Sequence, residues 1–300
     1  MSAAGPLVPP DPPPQTGPGP EPFGHRLHAR MAAGSHLCVG IDPHPGLLDA
    51  WGLPDTPKGL GAFGRGLIEA ASRGGAAAVK PQSALFERHG SGGIGVLEEV
   101  LGWARQVGLL TVLDVKRGDI GSTMRGYAEA YLKDGAPLSA DSITVSPYLG
   151  FGSLKPAIDL AEENGRGIFV LAFTSNPEGP QVQRAVTAEG PQVGEAMIQA
   201  VAQANAGAVP MGDLGVVIGA TLKSLPPTGS RVLPQVGGPI LVPGLGAQGG
   251  RPEDLTRLFG KARRLVLATA SRTIARSGPD PESLAATVRE NVENLSFLEN

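Results

Sequence analysis

LDVKRGDIGST (113–123) combines a strand end, a turn and a helix start in one short stretch. It overlaps the apolar run TVLDV and carries Asp114, Lys116 and Asp119. In an extended strand successive side chains alternate, so Asp114 and Lys116 share a face with Val112, while Leu113 and Val115 take the other. Gly118 and Gly121 let the chain leave the strand sharply, with Asp119 on the turn between them. Ser122 is placed to cap a helix whose apolar residues, Met124, Tyr127, Ala128, Tyr131 and Leu132, recur at helical spacing. A lone Asp-x-Lys at a strand end is more often a solvated ion pair than a catalytic one. The rest of the chain decides between the two.

Outward from this unit, short apolar runs alternate with longer amphipathic ones from Phe23 onward. The strand candidates are LCVGID (37–42), AAVKPQ around Lys80, LLTVLDVK (109–116), SITVSP (142–147), GIFVLAF (167–173), LGVVIGAT (214–221), PILVPGLG (239–246) and RLVLATA (264–270). Helices are expected over Lys58–Arg73, Ile94–Gln106, Ser122–Lys133, Gly152–Asn164, Gln192–Ala206, Arg251–Phe259 and Pro281–Leu298. Eight strands alternating with helices suit a single α/β domain, a (β/α)8 TIM barrel over residues 23–300. A doubly wound sheet also alternates strand and helix, but no G-x-G-x-x-G follows the first strand. The sixth crossover, KSLPPTGSRVLPQVGG (223–238), has prolines and glycines that leave at most a turn or two of helix. The longest loop, 174–192, follows strand five and is a lid candidate, with an ordinary surface loop as the alternative.

Residues 1–22 (MSAAGPLVPPDPPPQTGPGPEP) are mostly Pro, Gly and small residues, which bury too little apolar surface to offset ordering; they read as a disordered tail. A net charge of −3 argues against a duplex nucleic-acid partner. Cys38 is the single cysteine, so no intrachain disulfide exists, and in its apolar run a buried, inert thiol is expected. No stretch is long enough to span a bilayer and no signal peptide opens the chain, which points to the cytoplasm. His25, His28, His36, His44 and His89 show no metal-ligand spacing.

Barrel active sites sit at the C-terminal ends of the strands. Strand one ends in Asp42, strand two in Lys80 and strand three in Asp114 and Lys116, with Gly40, Ala78 and Val112 pointing inward beneath them. An alternating Lys–Asp–Lys–Asp cluster lets each charge satisfy its neighbours and keeps both lysines protonated. At the other side, PGLGAQGGRP (243–252) follows strand seven, and its glycines allow backbone N–H groups to converge on an anion. Arg272 follows strand eight. Loops after strands seven and eight are the recurrent phosphate site of these barrels. Together these groups suit a phosphorylated small molecule whose reacting carbon lies near Lys116.

These residues resemble a known family. LDVKRGDIGST is similar to the D-x-K-x-x-D-I signature of orotidine 5′-monophosphate decarboxylase, in its KRGDIGST version. The similarity extends through VGIDPH (39–44), VKPQSALFERHG (79–90), FTSNP (173–177), VIGAT (217–221), VPGLGAQGG (242–250) and ASRTIA (270–275). It implies a cofactor-free, metal-free homodimeric barrel that makes uridine 5′-monophosphate, the last step of de novo pyrimidine synthesis. By the same resemblance, Lys80, Asp114, Lys116 and Asp119 form the catalytic tetrad, and Asp119 and Thr123 complete the neighbouring subunit's site. Asp42 binds ribose hydroxyls with Lys80, Ser175 contacts the pyrimidine with Pro243 packing nearby, and Gly246, Gln248, Gly249 and Arg272 hold the phosphate. Two other readings stand beside it. One is a Mg²⁺-using sugar-phosphate decarboxylase or aldolase on the same barrel; the other is a catalytically silent barrel that binds nucleotides or partners.

Overall fold

The structure, a computed structural model, describes residues 19–246 and 249–299. The expectations for most of the N-terminal tail (1–18) and for Gln248 therefore lie outside the described residues. Eight strands run β1 (Leu37–Ile41), β2 (Ala78–Pro81), β3 (Leu110–Arg117), β4 (Ser142–Val145), β5 (Gly167–Phe173), β6 (Leu214–Ile218), β7 (Ile240–Pro243) and β8 (Val266–Ala270). They pair in parallel and in sequence order, and β1 also pairs with β8, which closes the barrel. Closure removes both sheet edges and excludes the doubly wound alternative.

Both faces of each strand are covered, which is why the runs are apolar throughout. Leu37, Val39, Ile41, Leu113, Val115, Ile143 and Val145 face the surrounding helices. Cys38, Ala78, Leu110, Val112, Phe169, Val217, Leu241 and Leu267 fill the interior. The inward placement of Ala78 and Val112 thus follows the expected alternation. Burial pushes the Cys38 thiol up to about 12, so it is an inert filler.

The end of the barrel away from the strands' C-termini is plugged by a helix that the sequence reading did not identify, Phe23–Ala32. Its Phe23, Leu27 and Met31 recur every four residues and are all buried in the interior cluster. Phe23 meets Phe169 edge to face at 6.0 Å. Gly167 makes room for the plug: a Cβ there would sit 2.1 Å from the Phe23 ring.

The crossover helices match expectation within a residue or two at most ends. Thr56 caps Pro57–Gly74 by accepting from the Gly59 N–H, and Gly75 ends it at φ +79°. Asp280 caps Pro281–Glu293 by accepting from Ser283 N at 2.8 Å. The expected last helix is shorter, its tail becoming the separate 3₁₀ turn Ser296–Leu298. The start of Gly152–Asn164 is likewise a 3₁₀ turn, Phe151–Leu154, followed by Lys155–Glu163. The sixth crossover holds only Pro227–Val232 and the 3₁₀ turn Leu233–Gln235. It docks through Gly229 N–H onto the buried Glu195 carboxylate at 2.9 Å. Ser122 is not a cap: Ile120 occupies that position with no side-chain bond, and Ser122 lies inside the helix Gly121–Leu132.

Candidate active site

The strand ends deliver the expected charges to one cavity of about 260 Å³ at the C-terminal mouth of the barrel. Asp42, Lys80, Asp114, Lys116, Pro243 and Arg272 all line it. Leu171, Val217 and Leu241 supply its apolar lining, continuous with the barrel interior.

Asp114 is the hub. Its Oδ2 accepts from Lys80 Nζ at 2.9 Å, and its Oδ1 accepts from Lys116 Nζ at 2.6 Å and from Thr144 Oγ1 at 2.8 Å. Lys80 is buried and also donates to Gln82 Oε1 at 3.3 Å. Asp42 Oδ2 accepts from Ser271 Oγ at 2.5 Å, while its Oδ1 is buried with no partner among the described residues. That approach requires Gly40, since a Cβ there would lie 2.6 Å from Ser271 Cβ.

Burial alone pulls the Lys80 ammonium pKa down, but the Asp114 and Asp42 carboxylates outweigh it and hold it above the ordinary lysine value. Burial likewise raises the Asp114 carboxyl, yet Lys80 and Lys116 hold it well below the usual carboxylate range. Lys80 and Asp114 are therefore both charged near neutrality.

Lys116 departs from the expected strand geometry. It has φ +45°, the one positive value at a non-glycine position among the described residues. The β3–β4 register shifts between Leu113 and Arg117 at the same point. A left-handed conformation costs roughly 1–2 kcal/mol outside glycine, so surrounding contacts must hold it. The turn swings the side chain to 44% exposure at the cavity mouth while its ammonium still reaches Asp114.

The remaining expected residues stand apart from this cavity. Asp119 is half-buried and its Oδ1 accepts from Ile120 N at 2.8 Å; Thr123 is exposed on the following helix, and neither lines the cavity. Ser175 is exposed and packs by Gly219, while its neighbour Thr174 reaches the cavity wall. Gly246 and Gly249 border an adjoining hollow with Asn291 and Leu295. Their N–H groups close the loop on itself, Gly246 N to Gly250 O at 2.9 Å and Gly249 N to Gly246 O at 2.8 Å, rather than converging on the cavity. The loop after β5 carries a short helix, Pro180–Gln183, and exposes Val182 and Val186.

The sequence reading gave no role to Gln82, Thr144, Thr269 or Ser271, which complete the lining. Thr144 was discoverable: on β4 the outward residues are Ile143 and Val145, so a hydroxyl two residues past Ser142 faces inward at a strand end.

A closed parallel barrel with an ionised Lys/Asp cluster at its strand ends, and an arginine after β8, defines an enzyme scaffold for a small anionic substrate. Comparison with known proteins makes the class specific. Residues 35–288 match the model of the Orotidine 5′-phosphate decarboxylase / HUMPS family. An orotidine 5′-phosphate decarboxylase of Streptomyces coelicolor is 54% identical over 265 residues, spanning 88% of this chain and 93% of that one. The Salinispora tropica enzyme of the same name is 52% identical over 264 residues, again 88% and 93%. A crystal structure from Streptomyces avermitilis, of a candidate orotidine 5′-phosphate decarboxylase, superposes with TM-score 0.89 at 48% identity, covering 95% of this chain and 98% of that chain. This chain belongs to the orotidine 5′-phosphate decarboxylase family of (β/α)8 barrels.

Proposed function

We propose that the chain converts orotidine 5′-monophosphate to uridine 5′-monophosphate and CO₂, completing pyrimidine nucleotide synthesis in the cytoplasm as a cofactor-independent homodimer of the KRGDIGST-type branch. The observation that carries this is the Lys80–Asp114–Lys116 array, with bonds of 2.9 and 2.6 Å on one cavity wall. The C6–carboxylate bond breaks heterolytically and its electron pair stays on C6, which has no adjacent carbonyl into which to delocalise. Lys116-NH₃⁺ stabilises that pair and then delivers a proton to C6. The neutral amine regains its proton from solvent, to which the side chain is 44% exposed. Asp114 orients Lys116 and lies against the departing carboxylate. Asp42 and Lys80 take the ribose hydroxyls, Ser175 approaches the pyrimidine, and Arg272 and Gln248 take the phosphate, while Gly246 and Gly249, whose N–H groups bond within their own loop, serve its turn. Slow uncatalysed reactions require up to about 23 kcal/mol of barrier lowering, whereas one charged hydrogen bond contributes about 1.5–3. Several preorganised charges must act together.

The homodimer is supported by where Asp119 and Thr123 lie. Neither lines its own cavity, and exposed Ile120 (62%) lies between them in sequence, while Tyr148 (77%) and Leu149 (53%) are exposed after β4. Ser146, just past β4, donates its N–H to Arg117 O at the end of β3 at 2.8 Å, so the segments that follow the two strands start side by side. A second copy seated there receives Asp119 and Thr123 at its own site. The test is CO₂ release from orotidine 5′-monophosphate, read with the loss of orotate absorbance. Lys116→Ala abolishes turnover and keeps nucleotide binding; near-normal turnover in that variant refutes the assignment.

A further inference from the structure

Lys116 sits where the β3–β4 ladder breaks. Leu113 pairs with Ile143 and Arg117 with Val145, so three residues of β3 (114–116) stand opposite the single residue Thr144. The bulge deprives Lys116 N–H of a ladder carbonyl. That N–H donates instead to Thr144 Oγ1 at 3.0 Å. The same hydroxyl donates its proton to Asp114 Oδ1 at 2.8 Å. One buried side chain, 1% exposed, thus grips both the strained backbone of Lys116 and the carboxylate that orients its ammonium.

We propose that Thr144 is a positioning residue for the reaction, its hydroxyl fixing the left-handed turn at Lys116 and the rotamer of Asp114. The proposal rests on the decarboxylation reading above. The chemistry at this position is restrictive. A hydroxyl has one proton and two lone pairs. Here the proton goes to Asp114 and one lone pair to Lys116 N–H, so Thr144 has no donor left for a substrate. Its influence passes through the two residues it holds. A β-branched side chain adds a stiff χ1, which keeps the oxygen aimed between them. The turn is held from its far side as well: Arg117 donates to Glu87 Oε1 at 2.7 Å and to Val115 O at 3.1 Å. Glu87 is in turn bound by Ser83 Oγ at 2.6 Å. Thr144 is the member that touches the catalytic pair directly.

Thr144→Val keeps the shape and removes both bonds; Thr144→Ser keeps the hydroxyl. Misplacement of a catalytic group by about 1 Å can cost about a hundredfold in rate, so Thr144→Val should lower kcat by about that factor. KM for orotidine 5′-monophosphate and Kd for uridine 5′-monophosphate should stay within about threefold, because ground-state binding is untouched. Thr144→Ser should recover most of kcat. If Thr144→Val does not fold, Thr144→Ala removes the same two bonds and carries the same expectation. Unchanged kcat in the hydroxyl-free variant overturns the proposal, as does a raised KM with kcat kept, or a Thr144→Ser variant as slow as Thr144→Val. In each of those cases wild-type CO₂ release still stands; absent wild-type release refutes the decarboxylation reading itself.

Discussion

Asp114→Asn is the most informative single change, because it removes the charge on which two ammonium groups converge while keeping the side chain's shape. Lys80 is the costly partner. At 2.9 Å and an effective dielectric near 20, its attraction to Asp114 is about 6 kcal/mol before desolvation. Breaking a buried pair by neutralising one member typically costs about 3–5 kcal/mol net, and that is the loss of unfolding free energy expected at pH 7. Lys116 adds little, since at 44% exposure it regains water. The pH dependence carries the sharper test. In the wild type the Asp114 pKa is depressed, so its contribution is present above about pH 3.9 and is lost as pH falls through the folded value. The Lys80 pKa is raised, so its contribution is present below about pH 10.4 and is lost as pH rises through the folded value. The pair therefore contributes a constant amount between about pH 5 and 9. In the variant, burial acts on Lys80 with Asp42 as the main charge left to oppose it, and its folded pKa drops. The unfolded state then holds the proton more tightly, so the variant gains stability as pH rises. Urea unfolding at pH 7 and pH 9 should show the gap to wild type narrowing. A gap under about 1 kcal/mol at pH 7, or one that widens with pH, refutes the account of a buried, mutually dependent pair.

Three further outcomes follow from the same structure. Arg272→Ala should lower kcat/KM for orotidine 5′-monophosphate about 10- to 100-fold, the worth of a charged hydrogen bond, and leave the phosphate-free nucleoside orotidine unaffected; equal losses on both substrates would remove Arg272 from the phosphate site. Burial lowers the pKa of His36, partly offset by its bond to Val266 O at 2.8 Å, so the neutral ring is favoured in the fold and stability declines as pH falls below about 6.5. Thermal unfolding of His36→Asn between pH 7 and 5 should show a shallower decline than wild type; an identical slope counts against it. Ile120→Asp puts a charge on the exposed surface beside Asp119, and sedimentation should then show monomers whose turnover is lost while their unfolding is unchanged. Active monomers would refute the shared-site reading.

Much of the barrel was legible because its strands are buried on both faces and its helices carry ordinary start and stop residues. The alternation along β3 correctly separated Val112 and Asp114, inside, from Leu113 and Val115, outside. Lys116 does reach the same cavity as Asp114, but through a bulge that breaks the strict two-residue period rather than by plain alternation. The cause lies on the neighbouring strand, in the single residue Thr144 opposite three, and no reading of β3 alone contains that information. Ser122 was misplaced for a related reason: Gly121, at φ +52°, already begins the helix and moves the cap back to Ile120. The plug helix Phe23–Ala32 escaped notice because its apolar stripe is short and abuts a proline-rich segment, although Phe23, Leu27 and Met31 do keep helical spacing. Cavity lining was legible where it depended on strand ends, as for Asp42, Lys80 and Asp114. Ser175, Gly246 and Gly249, carried by loops, stand apart from that cavity.

Hydrogen-bond occupancy divides the work inside the cluster. Asp114 accepts three bonds, two of them from ammonium groups, and its depressed pKa keeps it from taking up a proton near neutrality; it can orient and repel but not act as a base. Lys80 is buried between two carboxylates and holds its proton above the ordinary lysine value, so it serves as a fixed positive charge rather than a donor to carbon. Lys116 differs from both. Among the described residues its ammonium has one side-chain partner, Asp114, leaving two N–H bonds for the cavity and for water. It is also the more exposed of the two lysines, 44% against 6% for Lys80. Two of the buried oxygens that lack partners among the described residues, Asp42 Oδ1 and Thr269 Oγ1, lie on the β1 and β8 side of the same cavity, where a ligand's hydroxyls can satisfy them. The array is thus complete where it must hold charge still and open where a substrate is to be gripped or protonated, which supports the proposed assignment of the proton transfer to Lys116.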